Sequence, residues 1–298
     1  MMAGRRRRRR VFRDRLTEVL FAFPALWAFA TVILVPFGYG IYLTFTDWDG
    51  VGARGSFVGW QNFVRAFYDG RFWHSMTLTL AYVAVSTVLL NVIAFGLAYA
   101  LTRGVPGERV LRAGFFAPNL LGGIVLGFVW QFIFLRVLVH LGESFDVAWL
   151  MKSWLSSPTS AFWALVVVTV WQYAGYMMVI YIGGLMNIPG ELFEAAAVDG
   201  AGPWTRLVRI VLPLVTPATV ISIFLSLQRS FMVYDVNLAL TGGGPYRSTE
   251  LISMYVYRKA FVEQQYASGQ AQAFILFAVA SIIALVQVYV GKRREIEA

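Results

Sequence analysis

Six intervals of the chain contain no Asp, Glu, Lys or Arg: 19 to 46, 72 to 102, 113 to 135, 153 to 190, 210 to 228 and 264 to 291. A helix needs about 20 mostly apolar residues to cross the hydrocarbon layer. The pattern therefore predicts an all-α, polytopic membrane protein with six transmembrane helices, at about 16–44, 72–102, 113–136, 158–186, 209–238 and 266–291. Residues 1–15 form a basic terminus, 16–291 one membrane domain with a polar loop at 187–208, and 292–298 a short tail. The fourth interval is long enough for a span plus a polar extension. The fifth stops at Arg229, although the apolar pattern continues to Leu240. No repeat of 20 to 50 residues is present.

Composition agrees with this pattern. Apolar residues make up 58% of the 298 and charged residues 14%, against about 25% charged in soluble domains. The net charge of +9 is concentrated in Arg5 to Arg10. Such a block could neutralise nucleic-acid phosphates, but it stands directly before an apolar run and reads as a topology signal. That run is too long for a signal-peptide core and has no small-residue cleavage site, so it reads as retained. With the N-terminus inside, the inner segments carry Arg5 to Arg10, Arg13, Arg15, Arg103, Arg109, Arg112, Arg206, Arg209, Lys292, Arg293 and Arg294. They outnumber the cations of the outer segments two to one, which predicts that both termini are cytoplasmic. The outer loop from Phe45 to Arg71, rich in Gly, Asp and Trp, predicts an ordered cap with interface anchors at Trp48, Trp60 and Trp73.

Several chemistries are excluded. The chain has no cysteine, hence no disulfide, thiolate metal site or cysteine nucleophile. His74 and His140 have no carboxylate or second histidine at ligand spacing, so no metal site is predicted. Met177, Met178 and Met186 read as packing residues. Gly122, Gly123 and Gly127 suit close helix packing, or could line a permeation path. No catalytic constellation is visible. A membrane-embedded enzyme would need acidic or metal motifs inside the spans, and a secondary transporter would need buried carboxylates for its coupling ion. Asp235 is the sole acidic residue near a span.

The polar loop "ELFEAAAVDGAGPWTRLVRIVLPL", Glu191 to Leu214, is the exception in this chain. Pro189 suits a helix start, Glu191 and Glu194 fit the positive end of the helix dipole, and Ala195, Ala196 and Ala197 are strong helix formers. Gly200 and Gly202 stop that helix, and Pro203 starts a second short arm through Trp204, Leu207 and Val208. Leu192, Phe193, Ala196 and Val198 are expected on one apolar face, with Glu191, Glu194 and Asp199 polar. Such a hairpin could lie on a lipid surface or dock on a protein. A surface helix usually carries cations toward the headgroups, whereas this first arm carries only carboxylates, which favours a protein partner.

The spacing Glu194-Ala195-Ala196, Gly200, then Ile210-x-Leu212-Pro213 resembles the EAA loop of binding-protein-dependent ABC transporter permeases. "FVGWQNFVRAF" from Phe57, "YDVNLALTGGGPYRSTELISMYVYRKAF" from Tyr234 and "GQAQAFILF" from Gly269 resemble the carbohydrate branch of that family. Thr241 to Pro245 is similar to the first, MalF-like or UgpA-like, of its two permease subunits. The resemblance implies the type I importer permease fold in a prokaryotic plasma membrane. It also implies a heterodimer with a second, MalG-like permease, an ATPase dimer, and an extracytoplasmic sugar-binding protein. Glu191, Glu194, Ala195, Ala196, Asp199, Gly200 and Trp204 would then form a coupling helix seated on the ATPase. ATP and magnesium would be bound by that partner, since this chain has no G-x-x-x-x-G-K-[ST] and no cofactor of its own.

Polar residues inside spans are costly in lipid and mark candidate cargo contacts. The fourth span carries Thr169, Trp171, Gln172, Tyr173 and Tyr176; the fifth carries Ser222, Ser226, Gln228, Arg229 and Ser230, followed by Tyr234, Asp235 and Asn237. Sugar hydroxyls need donors and acceptors and sugar C–H faces suit aromatic rings, both of which these residues offer. By distance from the family motifs, the resemblance implies substrate contacts at Thr169, Gln172, Tyr173, Tyr176, Arg229, Ser230 and Val233. The cargo is thus expected to be a sugar or related polyol, with glycerol-3-phosphate, a phosphodiester or an acidic sugar as the alternative. Arg229 carries that alternative. It could pair with a partner carboxylate or snorkel, donate to a polyol, or bind an anion.

Overall fold

The computed structural model describes residues 19–52 and 55–293. The predicted topology signal Arg5 to Arg10, with Arg13, Arg15, Arg54 and Arg294, lies outside them. The described residues are helical apart from turns and loops and a single antiparallel bridge between Thr46 and Phe57. They fall into two compact units, one of the residues up to Tyr68 with Lys259–Phe274, the other of Asp69–Arg258 with the chain from Ile275 onward.

The first unit holds α1 (Val19–Thr44), an apolar helix whose most hydropathic stretch is nowhere buried, and the outer cap. The cap is ordered, as its composition predicts. Asn62, on the short helix α2 (Gln61–Tyr68), donates from Nδ2 to the carbonyls of Thr44 (2.9 Å) and Thr46 (2.6 Å). Phe45 packs edge-on against Trp60, and Trp48 against Tyr266.

The second unit is built on two long helices, α3 (Gly70–Leu101) and α6 (Pro158–Met186). Each starts on a side-chain cap. Asp69 accepts from the backbone N–H groups of Arg71 and Phe72, and Ser157 from that of Ser160, with Pro158 pre-set at the first helical position. The remaining helices of this unit are α4 (Glu108–Phe116), α5 (Gly123–Ser144), α7 (Gly190–Val198), α8 (Pro203–Leu214), α9 (Thr216–Phe231), α10 (Asp235–Leu240) and α11 (Ile252–Tyr257). The last helix, α12 (Tyr266–Lys292), begins in the first unit and ends in the second. Five helices are long and apolar enough to cross a membrane, and α8 with α9, bent by 68°, supplies a sixth.

Two spans differ from the hydrophobicity pattern. The predicted helix 113–136 is broken: α4 ends at Phe116, a 3-10 turn covers Ala117–Leu120 around Pro118, and the spanning helix runs from Gly123 to Ser144. Arg136 and His140 therefore lie on this helix rather than in an outer loop. The predicted helix 209–238 divides at Val215 and again at Met232–Tyr234. Pro213 and Pro217 flank the first break, and neither can donate the N–H that would carry a straight helix through it. The π-helical turn Leu207–Val211 lies just before Pro213, and another, Ala30–Leu34, just before Pro36; a wider turn accommodates the missing donor.

Glycines set the close approaches. A Cβ at Gly127 would come within 2.6 Å of the Ala239 Cβ, and one at Gly123 within 2.8 Å of the Asp235 Cβ, so α10 lies directly on α5. Gly122 has open space beside it. At Gly175 a Cβ would overlap the Phe115 carbonyl, which brings α4 onto α6. Met177 and Met178 are fully buried packing residues, whereas Met186 is exposed.

A buried polar ladder ties α3 to α6 and α9. Tyr82 donates to Thr169 Oγ1 (2.6 Å), Ser86 to Ser230 Oγ (3.1 Å), and Asn91 Nδ2 to Ser226 Oγ (3.0 Å), while Tyr181 donates to Asn91 Oδ1 (2.9 Å). Where both surroundings are apolar, such bonds fix helix register, each contributing about 1 kcal/mol.

Candidate functional site

The interrupted stretch Glu191 to Leu214 forms a hairpin of α7 and α8. Its first arm closes in a Schellman motif: Gly200 adopts the left-handed conformation (φ 71°), the Ala201 N–H bonds the Ala196 carbonyl at 2.8 Å, and the Gly200 N–H bonds that of Ala197 at 3.1 Å. Arg206 Nε then donates to the Ala201 carbonyl at 2.8 Å, fixing the second arm to the turn. That arm is longer than the sequence spacing predicts, continuing through the π turn to Leu214. The apolar face also differs. Phe193 and Ala196 face inward, but Val198 (89% exposed) and Trp204 (75% exposed) stand outward beside Glu191, Glu194, Ala195 and Asp199, all exposed. Four residues, Asp199 to Gly202, separate the arms, and Val198 lies off the face that packs.

The second site is a cavity of about 430 Å³ lined by Gln172, Tyr173 and Tyr176 of α6, by Asn119, Leu121 and Gly123, and by residues from Leu225 to Val236. It forms where two helices are interrupted, at Ala117–Gly122 and at Met232–Tyr234, beside the uninterrupted α6. Irregular backbone at membrane depth is tolerated where it lines a cavity. The Arg229 guanidinium lies 5.0 Å from the Tyr173 ring centre and 5.9 Å from that of Tyr176. Gln172 donates from Nε2 to the Leu121 carbonyl at 3.3 Å, leaving its buried Oε1 without a partner; Asn119 Oδ1 is also buried and unpartnered. Two tyrosine rings, one cation, the carboxylate of Asp235 and the amide side chains of Asn119 and Gln172 thus share one lining.

Of the seven predicted contacts, Gln172, Tyr173, Tyr176, Arg229 and Val233 line this cavity together. Thr169 and Ser230 do not line it, being buried behind it in the ladder with Tyr82 and Ser86. Sequence spacing missed Asn119, whose signal was Pro118 before it and Gly122-Gly123 after it inside a charge-free interval. Asp235 shares the cavity with Arg229 because the helix breaks between them. A larger cavity of about 750 Å³, lined by side chains such as Leu89, Ile93, Phe115, Trp163 and Trp171, is almost wholly apolar and has nothing to hold hydroxyls.

The loop "LTGGGP" is held from within. Arg258 donates to Glu250 Oε1 (2.7 Å) and to the Gly242 carbonyl (2.8 Å), and Asn237 Nδ2 to the Thr249 carbonyl (2.6 Å). Gly242 and Gly243 adopt positive φ there.

Residues 92–296 match the family described as the binding-protein-dependent transport system inner membrane component. The chain is 40% identical to the probable starch degradation products transport system permease protein AmyD of Thermoanaerobacterium thermosulfurigenes, over 96% of this chain and 97% of that protein. It is 30% identical to the multiple sugar-binding transport system permease protein MsmF of Streptococcus mutans, over 91% and 96%. A chain of a bacterial alginate ABC transporter, solved in complex with an alginate pentasaccharide-bound periplasmic protein, superposes with a TM-score of 0.79 at 20% identity, covering 96% of both chains; it shares the fold. These relatives are transport permease proteins and not enzymes. On the match of its sequence and helices, the chain belongs to the family of inner membrane components of binding-protein-dependent transport systems.

Proposed function

We propose that this chain is the translocation subunit of an ABC importer for a neutral saccharide, working with a second permease, an ATPase dimer and an external sugar-binding protein. The observation that carries the cargo reading is the 430 Å³ cavity, whose lining brings the Asp235 carboxylate, the Arg229 guanidinium and the side chains of Asn119 and Gln172 together with the Tyr173 and Tyr176 rings. Sugar hydroxyls bond to such polar groups and sugar C–H faces pack on such rings. The starch-degradation-product and multiple-sugar permease relatives support a saccharide cargo. The hairpin, with both termini on the ATPase side, is the coupling element, and Glu191, Glu194, Gly200 and Trp204 meet the partner. ATP-driven closure of the ATPase moves the hairpin, and the spans alternate the cavity between the two sides.

Arg229 favours a second reading, an anionic cargo. Asp235 in the same cavity opposes it, because a fixed carboxylate repels an anion and the cation already lies against two tyrosine rings. Uptake of a neutral maltooligosaccharide and of glycerol-3-phosphate by the reconstituted complex decides between them. Uptake of the oligosaccharide alone supports the proposal, and uptake of the phosphate ester alone overturns it.

A further inference from the structure

Where α3 ends and the hairpin begins there is a separate cavity of about 370 Å³, lined by Tyr99, Thr102, Arg103, Leu185, Phe193 and Arg206, with Pro203 and Val211. Two guanidinium groups line it and no carboxylate does. Two other arginines of this unit are paired with carboxylates: Arg112 stands 3.6 Å from Glu108 and Arg258 2.7 Å from Glu250. Neither Arg103 nor Arg206 has a carboxylate within 4 Å among the described residues.

Both side chains are nevertheless held. The Arg103 guanidinium lies 4.2 Å from the centre of the Tyr99 ring and donates to the Tyr99 hydroxyl. Arg206 is anchored through Nε to the Ala201 carbonyl, which leaves its terminal nitrogens free to donate elsewhere. Two pre-positioned, unneutralised guanidiniums match the oxygens of a phosphate, which they can each grip through two N–H groups. Leu185, Phe193 and Val211 add an apolar wall. The cavity opens at the end of a charge-free span, the depth at which lipid headgroups lie, and basic pockets between helices there suit anionic headgroups.

We propose that this cavity binds a phosphate-bearing anion, clamped between Arg103 at the end of α3 and Arg206 in the hairpin. A phospholipid headgroup and a free phosphate share that chemistry. In either case the ligand fastens the hairpin to the span beside it. The proposal is independent of the cargo.

The test uses the assembled transporter in neutral detergent, titrated by native mass spectrometry with dioctanoyl phosphatidylglycerol, dioctanoyl phosphatidylcholine and inorganic phosphate. The expected result is binding of the glycerol lipid about tenfold tighter than the choline lipid. That preference is lost in R103Q/R206Q and kept in R109Q, whose arginine is exposed and outside the cavity. Displacement by inorganic phosphate at similar concentration would identify free phosphate as the ligand, and its failure to displace a headgroup. Equal binding of both lipids with no binding of phosphate overturns the proposal, as does equal weakening by R109Q. If R103Q/R206Q does not assemble, the unsubstituted complex alone decides, through its lipid preference and phosphate binding. Cargo uptake is scored separately, so its loss with anion binding intact counts only against the transport reading.

Discussion

The hairpin and the 430 Å³ cavity both lie at interruptions of helices, and they resolve the interruption in opposite ways. At the hairpin the turn between the arms is closed: Gly200 turns the chain, and the Ala196, Ala197 and Ala201 carbonyls all find donors. What remains outward is side chain, Val198 and Trp204 among carboxylates. At the cavity the breaks leave Asn119, Gln172, Arg229 and Asp235 in one lining with two tyrosine rings. A self-satisfied break makes a rigid projection that can be pushed. The other kind makes a pocket in which polar and aromatic side chains meet.

The comparison predicts separable failures. The largest effect is expected at Gly200, where a side chain meets nothing in this chain within 4 Å but adopts a strained φ. Gly200→Ala and Gly200→Trp share the strain of about 1–2 kcal/mol and differ in bulk against the partner. Co-purification with the ATPase should fall modestly in the first and by about 30-fold or more in the second, with the binding protein's sugar affinity unchanged. If association and transport survive Gly200→Trp, the hairpin does not dock.

Gly175→Ala should act next, through stability. Its Cβ would overlap the Phe115 carbonyl, forcing α4 off α6 beside the cavity. A loss of about 3 kcal/mol is expected, read as a lowered unfolding temperature in detergent. An unchanged temperature would show that α4 is not held as described. Arg229→Gln should then lower oligosaccharide uptake about tenfold while leaving ATPase association intact. A simultaneous loss of ATPase association would break the separation between the two regions. The smallest effect belongs to Asn91→Leu, which removes the partner shared by Ser226 and Tyr181. It should cost about 1 kcal/mol and alter neither cargo preference nor association, as measured by the same melting and pull-down assays.

The hairpin was legible in the sequence because its determinants are local. Pro189, the alanine run, Gly200 and Pro203 act within one or two turns, and their spacing alone specifies a helix, a stop and a restart. Its two surprises, the outward Val198 and the longer second arm, depend on packing beyond the turn. The cavity was half legible. The polar residues within spans and the family resemblance pointed to Gln172, Tyr173, Tyr176, Arg229 and Val233, but could not show that Thr169 and Ser230 are taken by Tyr82 and Ser86, 87 and 144 residues away in sequence. Asn119 was hidden because an apolar interval without charges gives no sign of a break, apart from one proline and two glycines. Similarly, hydropathy read 209–238 as one span where the missing donors of Pro213 and Pro217 and a second break at Met232 divide it.

The bend at Val215 sets the mechanics of the molecule. From Pro203 to Leu214 the inner arm measures about 18 Å, and from Thr216 to Arg229 the outer arm about 20 Å. Turned as a rigid elbow about Val215, a push of about 3 Å at Trp204 becomes a rotation of roughly 10° and a shift of about 3 Å at Arg229. With arms so nearly equal, such an elbow neither amplifies nor reduces: under the proposed coupling, a stroke delivered at the hairpin arrives undiminished at the cavity, in a direction set by the 68° bend.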